Sequence, residues 1–293
     1  MTRFGPVITA MVTPFDAEGA IDLEGAAELA EWLVGQGNDA LVVTGSTGEA
    51  SVLTDDEQVE VWRAVRAAVA VPVIAGSGTN DTAHAAGLTA QAAKAGLDGV
   101  LVVTPYYNRP PQAGIEAHFR AVAAATDLPV VLYDIPIRSS RKIGHEILVR
   151  LAAEVPNIVG LKDAAGNPAE TARTVADTPE DFYVYSGDDA MTLPMMAVGA
   201  VGVISVAAHW AAPEMSAMIE AFERGDHTKA AEINVALLES YDFESGDLTP
   251  NPIPAKAMLR ALGRPAGQCR LPIGPAPVGL EQRALDVLGV LRG

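Results

Sequence analysis

Basic residues are scarce in this chain. Against 37 Asp and Glu stand only 20 Lys and Arg, a formal net charge of −17. That balance disfavours a polyanion partner such as nucleic acid, or an anionic membrane face, and the acidic surplus is read as serving solubility. Cysteine is nearly absent as well. The single Cys269 excludes an internal disulfide and any Cys-cluster metal site, and it fits a reducing cytoplasm. No apolar stretch is suited to crossing a bilayer, because the longest, Met195 to Ala208, is short and is interrupted by glycines and Ser205. The start, Met1-Thr2-Arg3-Phe4-Gly5-Pro6, lacks the basic and apolar regions of a signal peptide. The five histidines (His84, His118, His145, His209 and His227) are scattered. Asp188-Asp189 has no histidine partner or third carboxylate, so a loop-and-cap role is expected there and no metal.

What the chain has is alternation. With 49% hydrophobic residues over 293 positions it can bury a large core. Short apolar, β-branched runs lie at Val7–Thr13, Ala40–Thr44, Val71–Ala75, Gly99–Val103, Val130–Tyr133, Ile158–Lys162, Tyr183–Ser186 and Gly202–Val206. Helix-like segments separate them. Thr54-Asp55-Asp56-Glu57 forms a capping box that opens one running to Val69, and Asp81-Thr82 caps another that Gly96 closes. Eight strands in strict alternation with helices predict a parallel (β/α)₈ TIM barrel. The rival, a doubly wound open sheet, loses ground because no Gly-x-Gly-x-x-Gly turn follows the first strand. The barrel is expected over residues 1–225. A helical C-terminal extension, with a Pro-rich stretch at Leu271–Pro277, is expected over 226–293 and not as an independent domain.

Lys162 ends the sixth run, between Ile158-Val159-Gly160-Leu161 and Asp163-Ala164-Ala165-Gly166. A lysine at the tip of a buried strand must be paired or lose its proton. A neutral, desolvated lysine is a nucleophile that forms Schiff bases with carbonyl compounds. The other four lysines (Lys94, Lys142, Lys229, Lys256) sit in polar or helix-like contexts. On local sequence alone, a strand-end lysine reaching solvent stays open.

The barrel reading weighs against that alternative. Active sites of this fold lie at the C-terminal ends of the strands. There the chain places Thr44-Gly45-Ser46-Thr47-Gly48-Glu49, Thr104-Pro105-Tyr106-Tyr107-Asn108, Tyr133 with Arg138 just beyond, Lys162, Ser186-Gly187-Asp188-Asp189 and Ser205. Tyr133, one strand from Lys162, is the best candidate for the proton donor and acceptor that imine chemistry needs, with the hydroxyls of Ser46 and Thr47 as a relay. The glycine loop offers backbone N–H groups that suit a carboxylate. Arg138 suits a second carboxylate through a two-pronged contact, or else is a solvated surface arginine.

Gly45-Ser46-Thr47-Gly48-Glu49, Tyr133-Asp134-Ile135-Pro136 and Gly160-Leu161-Lys162-Asp163, in this order and spacing, resemble the Schiff-base aldolase family of dihydrodipicolinate synthase and N-acetylneuraminate lyase, over essentially the whole chain. Thr104–Asn108, Tyr185–Asp189, Asn251–Lys256 and Arg138 are similar to its synthase branch. The resemblance implies condensation of pyruvate with L-aspartate 4-semialdehyde to 4-hydroxy-tetrahydrodipicolinate, on the diaminopimelate route to lysine, with no cofactor. It implies Lys162 as the imine lysine and Tyr133 as proton donor and acceptor. Ser46 and Tyr107 would form the relay, the latter reaching in from a neighbouring subunit, usually of a homotetramer. Thr47 and the backbone around Ile204 would bind pyruvate, Gly187 would belong to the substrate-binding residues, and Arg138 would meet the aldehyde's carboxylate.

Three positions depart from the synthase pattern. Ser46 stands where threonine is usual and serine is common in the lyase and sugar-acid branches; Ala165 replaces a serine or threonine; Ile137 replaces a glycine and is expected to add bulk beside the Arg138 site. An aldolase or dehydratase acting on a sugar acid therefore stays as the alternative, and a catalytically silent binding paralogue is opposed by the presence of Lys162, Tyr133, Ser46 and Thr47. In lysine-inhibited relatives the feedback pocket includes residues matching Asn80 and Tyr106. His84 stands where those carry a glutamate, so little inhibition by L-lysine is expected.

Overall fold

In the computed structural model, which describes residues 4–293, the apolar runs become eight short parallel strands closed into a barrel. The first three residues of the N-terminal segment read above lie outside the described residues. The strands are β1 (Val7–Ala10), β2 (Ala40–Val43), β3 (Val73–Gly76), β4 (Gly99–Val103), β5 (Val130–Asp134), β6 (Ile158–Asp163), β7 (Tyr183–Ser186) and β8 (Val203–Ser205). Each pairs with the next, and β8 returns to β1 through Ile8↔Ile204.

Between and after them run α1 (Leu23–Gly35), α2 (Asp55–Ala68), α3 (Thr82–Lys94), α4 (Gln112–Ala123), α5 (Pro136–Ser139), α6 (His145–Glu154), α7 (Pro168–Asp177), α8 (Thr192–Met196), α9 (Ala208–Glu223), α10 (His227–Phe243), α11 (Ile253–Ala261) and α12 (Leu280–Arg292). The capping box at α2 is complete: the Thr54 hydroxyl accepts from Glu57 N–H at 3.2 Å, and Thr54 N–H donates to Glu57 Oε2 at 2.8 Å. Asp81 caps α3 through His84 N–H at 2.7 Å.

Both faces of every strand are buried, which is why the strands read as continuous apolar runs. Residues alternate between two cores. Ile8, Val42, Ile74, Leu101, Val131, Tyr133, Tyr185 and Ile204 fill the barrel. Val7, Leu41, Val73, Val100, Leu132, Val184 and Val203 face the helices.

Several strands are shorter than their apolar runs, for local reasons. Val12 N–H donates to His209 Nε2 and the Thr13 hydroxyl to Gly48 O, so β1 stops at Ala10. Pro72 cannot donate to the ladder and β3 begins at Val73. Gly202 precedes β8 at φ 154°, where a Cβ would lie 2.2 Å from Pro6 O. Trp210 Nε1 of α9 donates to Ser240 Oγ of α10 at 3.1 Å, tying the two helices together.

Candidate active site

The register of β5 and β6 pairs Tyr133 with Lys162, so both side chains enter the barrel at the same level. Lys162 is 4% exposed and its Nζ lies 4.4 Å from the centre of the Tyr133 ring. Burial draws the amine down to about 8, with Arg138 adding to the shift and Asp189 and Glu244 opposing it. Burial pushes the Tyr133 phenol up, so it keeps its proton near neutral pH. The pair is thus an amine that loses a proton readily beside a phenol that holds one.

Room for Lys162 comes from Gly187. A Cβ there would meet Lys162 Cγ at 2.9 Å, Cε at 3.0 Å and Ala164 Cβ at 2.9 Å. Gly187 N–H donates to Asp163 O at 2.8 Å, so its amide is engaged in the barrel.

Burial alone does not single out Lys162. Lys256, expected above in a polar or helix-like context, lies in α11 but is fully buried. Its Nζ contacts Glu49 Oε1 at 2.6 Å and Gln268 O at 3.1 Å, and lies 4.0 Å from the Phe15 ring centre. It is a paired, structural cation. Among the described residues no carboxylate forms an ion pair with Lys162, in contrast to Lys256.

Beside Tyr133 opens a cavity of about 540 Å³, lined among others by Ser46, Gly78, Tyr106, Tyr107 and Arg138. That volume suits a small metabolite. Lys162, Thr47, Gly187 and Ile204 are not on its wall. Ser46 is exposed on the wall. Thr47 is buried, and its hydroxyl accepts from Asn251 Nδ2 at 2.9 Å. Ile204 packs inside the barrel with Tyr133 and Tyr185.

Arg138 follows β5 on α5, where its guanidinium donates to Asn251 O at 3.3 Å. Asn251 therefore touches both Thr47 and Arg138. The sequence marked it only as the first residue of the Asn251–Lys256 segment that is similar to the synthase branch, and gave it no place among the site residues. Tyr107 sits at the rim with φ +72° and is 88% exposed. Ile137 is 89% exposed and does not line the cavity, so the expectation that it crowds Arg138 is corrected: at that point of α5 its side chain faces solvent.

Asp189 is a structural acceptor. Its Oδ2 accepts from Ser205 Oγ (2.9 Å), Val206 N–H (3.0 Å) and Ala207 N–H (2.7 Å), and Asp188 caps the next turn through Ala190 N–H. Beside Asp189 the buried Glu244 carboxyl is pushed well above its ordinary range by desolvation and by Asp189 itself. His209, in the first turn of α9, is fully buried; it holds its Nδ1 proton on Val206 O and is drawn down to about 4 by burial. Among the described residues no group of three or more His, Cys, Asp or Glu is arranged to hold a metal ion.

The chain was compared with known proteins. The dihydrodipicolinate synthetase family matches residues 3–286. The 4-hydroxy-tetrahydrodipicolinate synthase of Moorella thermoacetica is 47% identical, with 92% of each chain covered, and that of Bacillus subtilis is 44% identical, with 93% of this chain and 94% of the other covered. Among solved structures, that of DHDPS from Cyanidioschyzon merolae with lysine bound superposes with a TM-score of 0.96 at 45% identity, covering 100% of this chain and 99% of that one. The chloride-inhibited dihydrodipicolinate synthase of Acinetobacter baumannii complexed with pyruvate gives 0.92 at 34% identity, with 99% of each covered.

Proposed function

The chain belongs to the dihydrodipicolinate synthetase family, and we infer the reaction and its residues as follows. It is a Schiff-base lyase with the activity of a 4-hydroxy-tetrahydrodipicolinate synthase, joining pyruvate to L-aspartate 4-semialdehyde on the diaminopimelate route to lysine.

Lys162 Nζ, as the free amine, attacks C2 of pyruvate. Tyr133 donates its proton to the carbinolamine oxygen, which leaves as water and yields the imine. Tyr133, left as the phenolate, takes a C3 proton from the imine to give the enamine and is a phenol again, with Ser46 and Tyr107 relaying protons to and from it. C3 of the enamine attacks the aldehyde carbon and the new alkoxide takes a proton from the relay. Water hydrolyses the imine, freeing Lys162 and leaving a carbonyl at C2, and the substrate's own amino group condenses with that carbonyl, whose oxygen leaves as water, to close the ring. Thr47 and the backbone near Ile204 hold the pyruvate carboxylate beside Gly187, and Arg138 holds the carboxylate of the aldehyde.

The observation that carries this reading is the Tyr133–Lys162 juxtaposition, an amine drawn down by burial 4.4 Å from the ring of a phenol held protonated. The test is a coupled assay with pyruvate and aspartate semialdehyde, run beside N-acetylneuraminate and 2-keto-3-deoxygluconate. Condensation of the first pair at the higher kcat/KM supports the reading, and cleavage of a sugar acid at the higher value overturns it in favour of the branch that Ser46 resembles.

The exposed Tyr107 at the cavity rim supports a homo-oligomer, a tetramer by resemblance, in which this phenol completes a neighbour's relay. The single buried Cys269, free of any disulfide, supports a cytoplasmic location, and among the described residues no helix is long and apolar enough to cross a membrane. We keep the division into a barrel of residues 1–225 and an extension of 226–293. The extension then takes part in the site through Asn251. Feedback by L-lysine is proposed to be weak, since His84 and Asp55 bond to each other at 2.8 Å.

A further inference from the structure

Each residue of the reactive pair has a carboxylate at its back. Asp134 follows Tyr133 and Asp163 follows Lys162, and the two acids are themselves register partners across β5 and β6. Strand alternation turns them to the outer face, where both are buried. Asp163 is satisfied locally by Thr171 Oγ1 at 2.8 Å and Ala165 N–H at 3.0 Å. Asp134 is satisfied by residues that return to it from beyond Arg138: Ile143 N–H at 3.2 Å on Oδ1, and Lys142 Nζ at 3.8 Å from Oδ2. Lys142 continues to Glu170 Oε2 at 2.7 Å, joining α7 to the same base.

The segment from Ile135 to Lys142 is thereby a loop whose two ends are pinned to one carboxylate. It carries α5 and Arg138. Within it the Ser139 hydroxyl lies 3.0 Å from Ile135 O and 2.7 Å from Arg141 O. Gln112 braces the same base from α4, donating to Lys142 O at 2.9 Å and accepting from Gly144 N–H at 2.8 Å. Arg141 Nε donates to Arg109 O at 3.3 Å, on the segment that carries Tyr107. The Arg138 guanidinium has one long bond, to Asn251 O, so its aim is set by this backbone more than by its side-chain contact.

We propose that Lys142, through its ion pair with Asp134, is a positioning residue for Arg138 and so sets the affinity for the second, carboxylate-bearing substrate. The proposal rests on the reading of Arg138 given above. Without the ammonium, Asp134 keeps a buried carboxyl beside Asp163 and Glu170 with no cation, a state that favours protonation. The loop then loses one of its two basal ties and samples more conformations. Misplacement of a substrate-positioning arginine by a fraction of an ångström is costly, while Lys162, on its own strand, does not move.

The test is kinetic. Lys142→Met should raise KM for aspartate semialdehyde about 5- to 30-fold, with the rate of borohydride-trapped imine formation from pyruvate within about twofold of the unaltered enzyme. Hydrogen exchange at the amides of residues 137–143 should quicken, and Lys142→Arg, which keeps a cation, should restore KM. Asp134→Asn keeps an acceptor for Ile143 N–H and removes the charge, so its effect should not add to that of Lys142→Met. An unchanged aldehyde KM in Lys142→Met, or a parallel fall in imine formation, overturns the proposal and leaves the reaction assignment standing. An unaltered enzyme that forms no imine with pyruvate overturns both.

Discussion

Lys162 and Tyr133 are direct register partners on neighbouring strands, and the lysine nitrogen lies 4.4 Å from the centre of the phenol ring. The ring faces an amine that burial draws down to about 8. At pH 7 roughly a tenth of such an amine is already neutral, against less than a thousandth of an ordinary lysine. Pyruvate followed by borohydride should therefore add one reduced pyruvyl group, mapped to Lys162 by peptide analysis. The rate of imine formation should rise with pH up to about 8 and then level, because the free amine is the reactive form. Lys162→Ala should abolish condensation. Label on another lysine, or a rate that climbs unbroken to pH 10, would contradict the assignment.

Tyr133→Phe keeps the buried ring and deletes the phenol. A general acid–base group contributes on the order of 10²–10⁴ in rate, so kcat should fall by that range with the fold intact by circular dichroism. A loss of only a few-fold would make Tyr133 a packing aromatic.

Gly187 leaves space for the lysine's own carbons. A methyl group placed 2.9 Å from Lys162 Cγ and 3.0 Å from its Cε forces the side chain aside. Gly187→Ala should cost about 1–3 kcal/mol of stability by overpacking, and displacement of the amine should slow imine formation by roughly 10²-fold. Stopped-flow trapping with pyruvate, alongside thermal unfolding, separates the two effects. An alanine enzyme with ordinary imine kinetics would show that the lysine has room to spare.

Arg138 sits on the cavity wall and Lys162 does not. Losing a two-pronged arginine–carboxylate contact costs roughly 2–5 kcal/mol where the partner stays buried. Arg138→Ala should raise KM for aspartate semialdehyde by tens-fold or more and leave the borohydride-trapped imine nearly unaffected. Equal loss of pyruvate binding would mean that the two carboxylate sites are assigned the wrong way round.

The fold was legible because strands buried on both faces are written as unbroken apolar runs between turn residues, and that signal survives without any long-range information. Strand ends were less so. β1 stops three residues early because Val12 bonds to His209, a partner 197 positions away. Strand tips also disclosed Lys162, Tyr133, Ser46 and Arg138, since the fold dictates where tips gather. The segment holding Asn251 was noted but its contacts were not, because Thr47 and Arg138 lie 204 and 113 positions away. The burial of Lys256 escaped for the same reason, its partner Glu49 being invisible until the glycine loop and α11 are folded together. Ile137 was misread because a helical turn as short as α5 hides which way each residue faces.

The proposed weakness of L-lysine feedback rests on a pair at the edge of the same cavity. Asn80, His84 and Tyr106 line it together. The His84 Nε2 is bonded to Asp55 Oδ1 at 2.8 Å, both side chains being about half exposed at 45%. The carboxylate that could replace the missing glutamate is thus already engaged by the imidazole. Exchanging a free carboxylate for an imidazole removes a charge-assisted bond worth about 1.5–3 kcal/mol, which weakens binding of an ammonium ligand roughly ten- to a hundredfold. Millimolar L-lysine should accordingly leave the condensation rate nearly unchanged. His84→Glu should then introduce inhibition, since the new carboxylate no longer holds Asp55 and repels it, leaving two anionic partners for one ammonium. Titration calorimetry of both proteins checks this, and sub-millimolar, cooperative binding to the unaltered chain would show that Asp55 can serve the imidazole and the ligand at once.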